Sequence, residues 1–550
     1  MSDSDHIPTP GTIQLIDASG TLRVKHSKSS HNQDVILIPT PSDDPEDPLN
    51  WSFRRKLLST SCIVVYTIMV VLPSTTVYSV TSPIAAQTSL SIDNLITGLG
   101  VMFLFAGWGC IPLQALALQY GKRPMYLFTS ACLVNIRAVL ALAPRCTTWP
   151  LYLANKIIHG ILTAPVESLC EISITDVWFV QERPRYLAVY GFSLAFAGKL
   201  APTLSGFINY GQNWEWVLYW SAIWVGIAFL YCFFVMEETT YDRKIQSTER
   251  GIEETEKSEL PAEPNSPEHT TGKDEKCQGE SLEPTDFEIT PSYPKKTYWQ
   301  KLSLLPQRRP NRLLPIMWGP IRFFSYPIVV YAGLMYGANG LTWSSILNAT
   351  AGTTYTQQYG FSTAGIAAAY LSGVVGVIVG AFYCGKLGEI LVIRLARRNK
   401  GIAEPEHILW TFLASLTMVP FGLLLWGLGA TYRAHWFALV FAQFALSISN
   451  AIACPMALSY AISSYPDMSG ELVTTTVIIR NTMTFAINYG ITPWIRQQGF
   501  RDTFITAAVI GLVWNTSMFV MIRHGKTLRQ MSAKRYWKSV DRVKAQGTGH

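Results

Sequence analysis

The chain is a series of apolar runs separated by short polar turns, with one long polar interruption near its middle. A helix needs about 20 apolar residues to cross the hydrocarbon core of a bilayer. Runs of that length fall at 57–80, 95–117, 125–143, 151–176, 186–209 and 215–236, then at 326–348, 364–386, 408–429, 435–462, 471–494 and 502–523. The fourth and eleventh contain charges and are expected to be weak in hydropathy, so they rest partly on spacing. The pattern predicts an all-α membrane protein, with twelve transmembrane helices in two six-helix bundles around a central cavity. The units are a tail 1–56, a bundle 57–236, a loop 237–325, a bundle 326–525 and a tail 526–550.

The loop contains EETEKSELPAEPNSPEHTTGKDEK, rich in Glu, Lys, Pro and Ser and poor in large apolar residues, the composition of a disordered segment. Its end, TYWQKLSLLPQRRPNRLLPIMWGPIRFF, mixes Trp and Leu with Arg and Lys and suits a segment lying along the membrane surface. The two halves share a detail. LQYGKRPMYL (118–127) and GKLGEILVIRLARR (385–398) each place glycine and a basic cluster in the turn after the second run of a half.

Lys and Arg in short loops set orientation. One side collects Arg54, Arg55, Lys56, Lys122, Arg123, Arg183, Arg185, Arg394, Arg397, Arg398, Lys400 and the basic tail from Arg523. The other has Arg145, Arg433, Arg496 and Arg501. Both termini and the loop are therefore expected in the cytoplasm, on a multi-pass protein of the cell membrane. The sequon Asn348-Ala349-Thr350 then falls in an outer loop, as a site for an N-glycan.

Composition agrees. Only 15% of residues are charged, against about 25% in soluble proteins. The net charge of +7 is spread between apolar runs and the tail, with no basic domain to bind nucleic acid. The nine cysteines are scattered, with no CxxC or Cys/His pair at ligand spacing, so neither a metal site nor a disulfide framework is expected. No GxSxG, His-rich box or GxxxxGK[ST] occurs, which argues against a membrane enzyme and against ATP-driven transport, and no cofactor is implied. The polar start MSDSDHIPTPGTIQ lacks the apolar core of a cleavable signal, leaving insertion to the first span.

Charges inside the runs are the candidates for chemistry, because each is costly there. At 100° per residue, Lys156, Thr163, Glu167 and Glu171 fall within about 80° of one another on the fourth run, with His159 beside them. Lys199 lies at a neighbouring depth on the fifth. Carboxylates one turn apart repel, which favours protonation of one, and a facing Lys favours the charged form. Alternating between these surroundings is a physical route to proton coupling. A fixed Glu–Lys pair that merely joins two helices is the structural alternative. Arg480, followed by Asn481, either holds an anionic substrate or pairs with a carboxylate of the fourth run. His159 is either a proton carrier or a hydrogen-bonded packing residue.

Asp176 points the other way, near the cytoplasmic end. With Lys122, Arg123 and Arg183 on the same side it forms either an ion pair that latches an inner gate or a solvated helix end worth about 0–1 kcal/mol. Tyr331, Tyr336, Asn339 and Trp343 recur at near-helical spacing. They suit either an aromatic, weakly polar cavity wall for a drug-sized ligand or plain helix packing.

DPEDPLNWS (44–52), ALQYGKRPMYL (117–127), ESLCEISITDVWFVQERPR (167–185), EETTYDR (237–243) and IRNTMTFAINYGITPW (479–494) together resemble the twelve-span drug:proton antiporter branch of the major facilitator superfamily in fungi. The likeness runs from Asp44 to Arg529. It implies alternating access and proton-coupled efflux of a drug-like compound or secondary metabolite. The implied partners are the cargo, protons and the lipid bilayer, and the implied unit is a monomer. The same fold also serves proton-driven uptake of a nutrient or organic cation, and non-transporting sensors. The family's gate motif usually has an acid where Leu118 stands, and Glu389 fills the corresponding place in the second half. The antiporter motif appears only as GKLAPTLSG (198–206), with Ala201 and Ser205 where glycines are usual.

Overall fold

A computed structural model describes residues 9–14, 44–142, 148–179, 182–240, 297–302, 313–399 and 402–545. Most of the polar loop, including the stretch expected to be disordered, lies outside the described residues.

The first half begins with α1 (Phe53–Thr75) and α2 (Val77–Gln87), which together make one 35-residue span. Ser52 caps α1 by accepting the Arg55 N–H at 3.4 Å. α3 (Ile92–Tyr120) opens on Ser91, which accepts the Asn94 N–H at 3.1 Å, and stops at Gly121. Gly121 has φ +108°, and a Cβ there would lie 2.9 Å from a Glu238 carboxylate oxygen, so only glycine fits without strain. Glu238 accepts the backbone N–H groups of Lys122 (3.1 Å) and Arg123 (3.0 Å), satisfying the open start of α4 (Lys122–Leu142). The glycine-basic turn is thus a helix end, a glycine pivot and a capped helix start. α5 (Trp149–Val177), α6 (Arg183–Gly211) and α7 (Trp214–Val235) complete this half.

In the second half, α8 (Leu313–Phe323) meets α9 (Pro327–Gly337) at an 81° bend, in keeping with a segment lying across the spans. α9 continues through a π-turn, Ala338–Thr342, into α10 (Trp343–Tyr359). α11 (Thr363–Phe382) passes through a second π-turn, Tyr383–Gly388, into α12 (Glu389–Arg398). A 3₁₀ stretch, Pro405–Phe412, leads into α13 (Leu413–Thr431). α14 (Trp436–Ser464), α15 (Ser469–Gln498) and α16 (Phe500–Ala545) follow. The only strands among the described residues are the antiparallel pair Ile13–Gln14 and Ile402–Ala403.

Among the described residues, nine helices are long and apolar enough to cross a membrane, and ten if the bent pair α8 and α9–α10 counts as one. The fourth run, expected to be weak, meets that test as α5. The eleventh does not, because α15 carries Glu471, Arg480 and Arg496 besides several Thr and Asn; the third, α4, has its side chains beyond Val134 outside the described residues. Beyond the expected span, α16 runs on as helix to Ala545, so the described part of the expected tail 526–550 is helical. Many Ser and Thr hydroxyls along the spans return to carbonyls one turn back, as Ser130 does to Tyr126 at 2.7 Å and Ser221 to Val217 at 2.7 Å. Their polarity is therefore met inside the helix, as an apolar surrounding requires.

Across the halves, α3 packs on α15, α6 on α11 and α14, α5 on α15, and α2 on α10. A Cβ on Gly100 or Gly107 of α3 would come within 2.9 Å of Asn488 or 2.8 Å of Asn481, so small residues set the closeness of the α3–α15 seam.

Candidate functional site

Between the halves is a cavity whose wall includes Thr163 and Glu167 of α5, Lys199 of α6, Tyr336 of α9, Asn348 of α10 and Arg480 of α15. Glu167 forms an ion pair with Arg480, so the two halves are joined across the cavity by opposite charges. The Arg480 guanidinium also donates to the Tyr336 hydroxyl at 2.5 Å and to Asn481 Oδ1 at 3.1 and 2.8 Å. Its carbon sits 4.7 Å from the centre of the Tyr336 ring, within cation–π range. Five planar donors suit Arg, not Lys, to this many-sided role.

Glu171, one turn along α5, is fully buried, and no ion pair among the described residues includes it. The Tyr190 hydroxyl close to it donates to the Val166 carbonyl at 2.8 Å. Lys199 is buried and packs beside Gly373 of α11; no ion pair among the described residues includes it. Lys199 thus shares the cavity wall with Glu167, as expected from its depth, but the ion pair of Glu167 is made by Arg480, because α15 crosses α5 here.

Other candidates lie elsewhere. Lys156 is buried 5.4 Å from the Tyr152 ring centre and is not on the cavity wall, and His159 is likewise buried away from it. Tyr331 takes a hydrogen bond from Ser517 (3.4 Å) and packs edge-on against Tyr460, outside the cavity. Asn339 exchanges two hydrogen bonds with Asn515 of α16, at 3.0 and 3.1 Å, which satisfies both amides within the second half. Asn348 is not in an outer loop. It is buried inside α10 on the cavity wall, so the sequon is hidden from glycosylation here.

At the end of the molecule that carries Gly121, Lys122 forms an ion pair with Asp176, and both belong to the first half. Arg123 is buried and donates to the carbonyls of Phe233 (2.8 Å) and Leu302, and Arg183 donates to Trp178 O at 3.1 Å. The side chain of Glu389, at the start of α12, lies outside the described residues. The contact that joins the halves at this end is one the sequence reading missed. Gln114 of α3 donates to Gly470 O at 3.1 Å and accepts from Thr474 of α15. Its signal was the one amide inside the apolar run IPLQALAL. At the opposite end Asp93 and Arg496 pair across the same two helices. Asn450, also on the cavity wall and also missed, donates to Gly340 O in the π-turn.

A model of the Major Facilitator Superfamily matches residues 59–470. The chain belongs to the Major Facilitator Superfamily. It is an integral membrane transporter of small molecules. An uncharacterized MFS-type transporter of Schizosaccharomyces pombe is 26% identical over 547 residues, covering 96% of this chain and 94% of that one. Protein HOL1 of Saccharomyces cerevisiae is 26% identical over 578 residues, with 97% of each chain covered. Efflux pump radE of Floropilus chiversii is 21% identical over 437 residues, covering 79% of this chain and 73% of that one.

Proposed function

We propose that this superfamily member is a proton-coupled exporter of a drug-like compound or secondary metabolite, working by alternating access. The observation that carries the reading is the pair of α5 carboxylates. Glu167 is paired with Arg480 across the halves, and Glu171 is buried one turn away, in no ion pair among the described residues. An ionised carboxylate outside an ion pair is costly in such a place, and a protonated one far less so. Movement of α5 against α15 changes which carboxylate Arg480 faces, and so which one takes up or releases a proton. The likeness to efflux pump radE supports export. Twelve spans in two bundles, one copy per working unit, and both termini with the Gly121 end in the cytoplasm of the cell membrane complete the reading, in line with the basic residues collected there.

Proton-driven uptake is the second reading, favoured by one departure from the antiporter motif. Ser205, where glycine is usual, ties α6 to α2 through Ser79 (2.7 Å) and the Thr76 carbonyl (2.9 Å). Reconstitution with an imposed pH gradient and a panel of candidate compounds separates the two. Export predicts cargo moving against the proton flow. Cargo moving with it establishes uptake, and no response of any compound to the gradient rejects proton coupling.

A further inference from the structure

The two ends of the chain meet on one buried arginine. Arg529 lies on α16, beyond the expected span, and is fully buried. Its guanidinium donates to Glu406 at 3.0 and 2.8 Å and to Glu404 at 2.6 Å. Its other terminal nitrogen donates to the Pro10 carbonyl at 2.7 Å and to the Thr12 hydroxyl at 3.3 Å. Thr12 in turn donates to Glu404 at 3.2 Å. Gly11 has φ +81°, and a Cβ there would fall 2.4 Å from the Ser463 carbonyl oxygen at the end of α14. Ile13 and Gln14 then pair with Ile402 and Ala403. Residues 9–14 are thus a short peptide held on the second half by backbone, hydroxyl and close glycine contacts.

The same helix reaches the contact that closes the Gly121 end. Two turns beyond Arg529, the Tyr536 hydroxyl donates to Asp467 at 2.5 Å and accepts the Asp467 N–H at 3.1 Å. Asp467 lies just before α15, whose first turns carry Gly470 and Thr474, the partners of Gln114 in α3. Thr475, beside them, donates to the Pro320 carbonyl of α8 at 2.7 Å. A continuous set of polar contacts therefore runs from the N-terminal peptide, through the C-terminal helix, to the seam between the halves.

We propose that residues 9–14 are a cis-acting clasp: docked on Arg529, they brace the C-terminal helix against the first turns of α15 and hold the Gly121 end closed, and undocked they favour its opening. The clasp rests on the alternating-access reading above. The 29 residues between it and the first half, 15–43, could extend about 100 Å, so opening of the halves does not by itself pull the peptide out. Docking is then a separate, intramolecular equilibrium of a tethered ligand. A contact of that kind is open to control by a competing peptide or by modification of the terminus.

Hydrogen exchange on the full-length, reconstituted protein tests this, with Gln114→Ala as the reference for an opened seam. Gly11→Val, which cannot keep its φ or its distance from Ser463, is expected to raise exchange several-fold at both 112–120 and 469–476, as Gln114→Ala does. Thr12→Val is expected to do so more weakly. A peptide of residues 6–16, added to protein lacking residues 2–14, is expected to restore protection at both sites. Faster exchange confined to 402–406 and 524–545, with α3 unchanged, would make the peptide a local brace only and overturn the clasp. If Gln114→Ala itself leaves 112–120 and 469–476 protected, the seam is not a gate, and the alternating-access reading at this end falls with the clasp.

Discussion

Arg480 is held from three sides, by Glu167, Asn481 and the face and hydroxyl of Tyr336, with almost no contact with solvent. Removing one partner of a buried pair typically costs about 3–5 kcal/mol, because the other charge is left uncompensated. Arg480→Gln is therefore expected to lower the melting temperature of the purified protein sharply. Glu167→Gln combined with it should recover part of that loss, and strict additivity of the two would show that the residues do not act as a pair. At this scale the sequence was partly legible. Helical periodicity put Glu167 and Glu171 on one inward face and raised pairing of Arg480 with the fourth run as one of two options. It could not choose Arg480 over Lys199, because that choice depends on how α15 crosses α5. The buried place of Asn348 was hidden for a related reason, since α9, the π-turn and α10 form one rod longer than the apolar run that marks it.

The turn at Gly121 shows how one position shapes an element. Its φ of +108° and the 2.9 Å approach of Glu238 exclude a side chain, while Glu238 completes the start of α4. Gly121→Ala is expected to cost about 1–3 kcal/mol, the usual strain of such a backbone in a residue with a Cβ, read as a lower melting temperature. No change would mean that the turn relaxes freely and that the glycine is not needed there. The spans themselves were legible because apolar length is a strong signal. The continuation of α16 was overlooked because it is polar overall. Its buried residues Arg529, Ala533, Tyr536 and Val540 nevertheless recur at helical spacing, a pattern that would have marked it as a packed helix.

For the whole molecule, polar contacts join α3 and α15 near both ends: Gln114 with Gly470 and Thr474 at one, and the exposed pair Asp93 with Arg496 at the other. The terminal cluster adds a pH dependence outside the spans. Burial alone would raise the Glu404 carboxyl, but hydrogen bonds and charges from Lys526 and Arg529 outweigh it and hold it below the usual carboxylate range. Its folded value lies below its unfolded one, so its stabilisation is present above the unfolded value, about 4.3, and is lost as pH falls through the folded value. Melting temperature is thus expected to fall more steeply below that pH in the wild type than in Glu404→Gln; parallel curves would remove Glu404 from the account.

The central claim is that the α5 carboxylates couple cargo to protons at the junction with Arg480. It is tested most directly by Glu167→Gln in proteoliposomes, comparing movement driven by an imposed pH gradient with counterflow exchange of the same cargo. The account predicts that gradient-driven movement is lost while exchange continues. Gradient-driven movement with an unchanged pH dependence would contradict it.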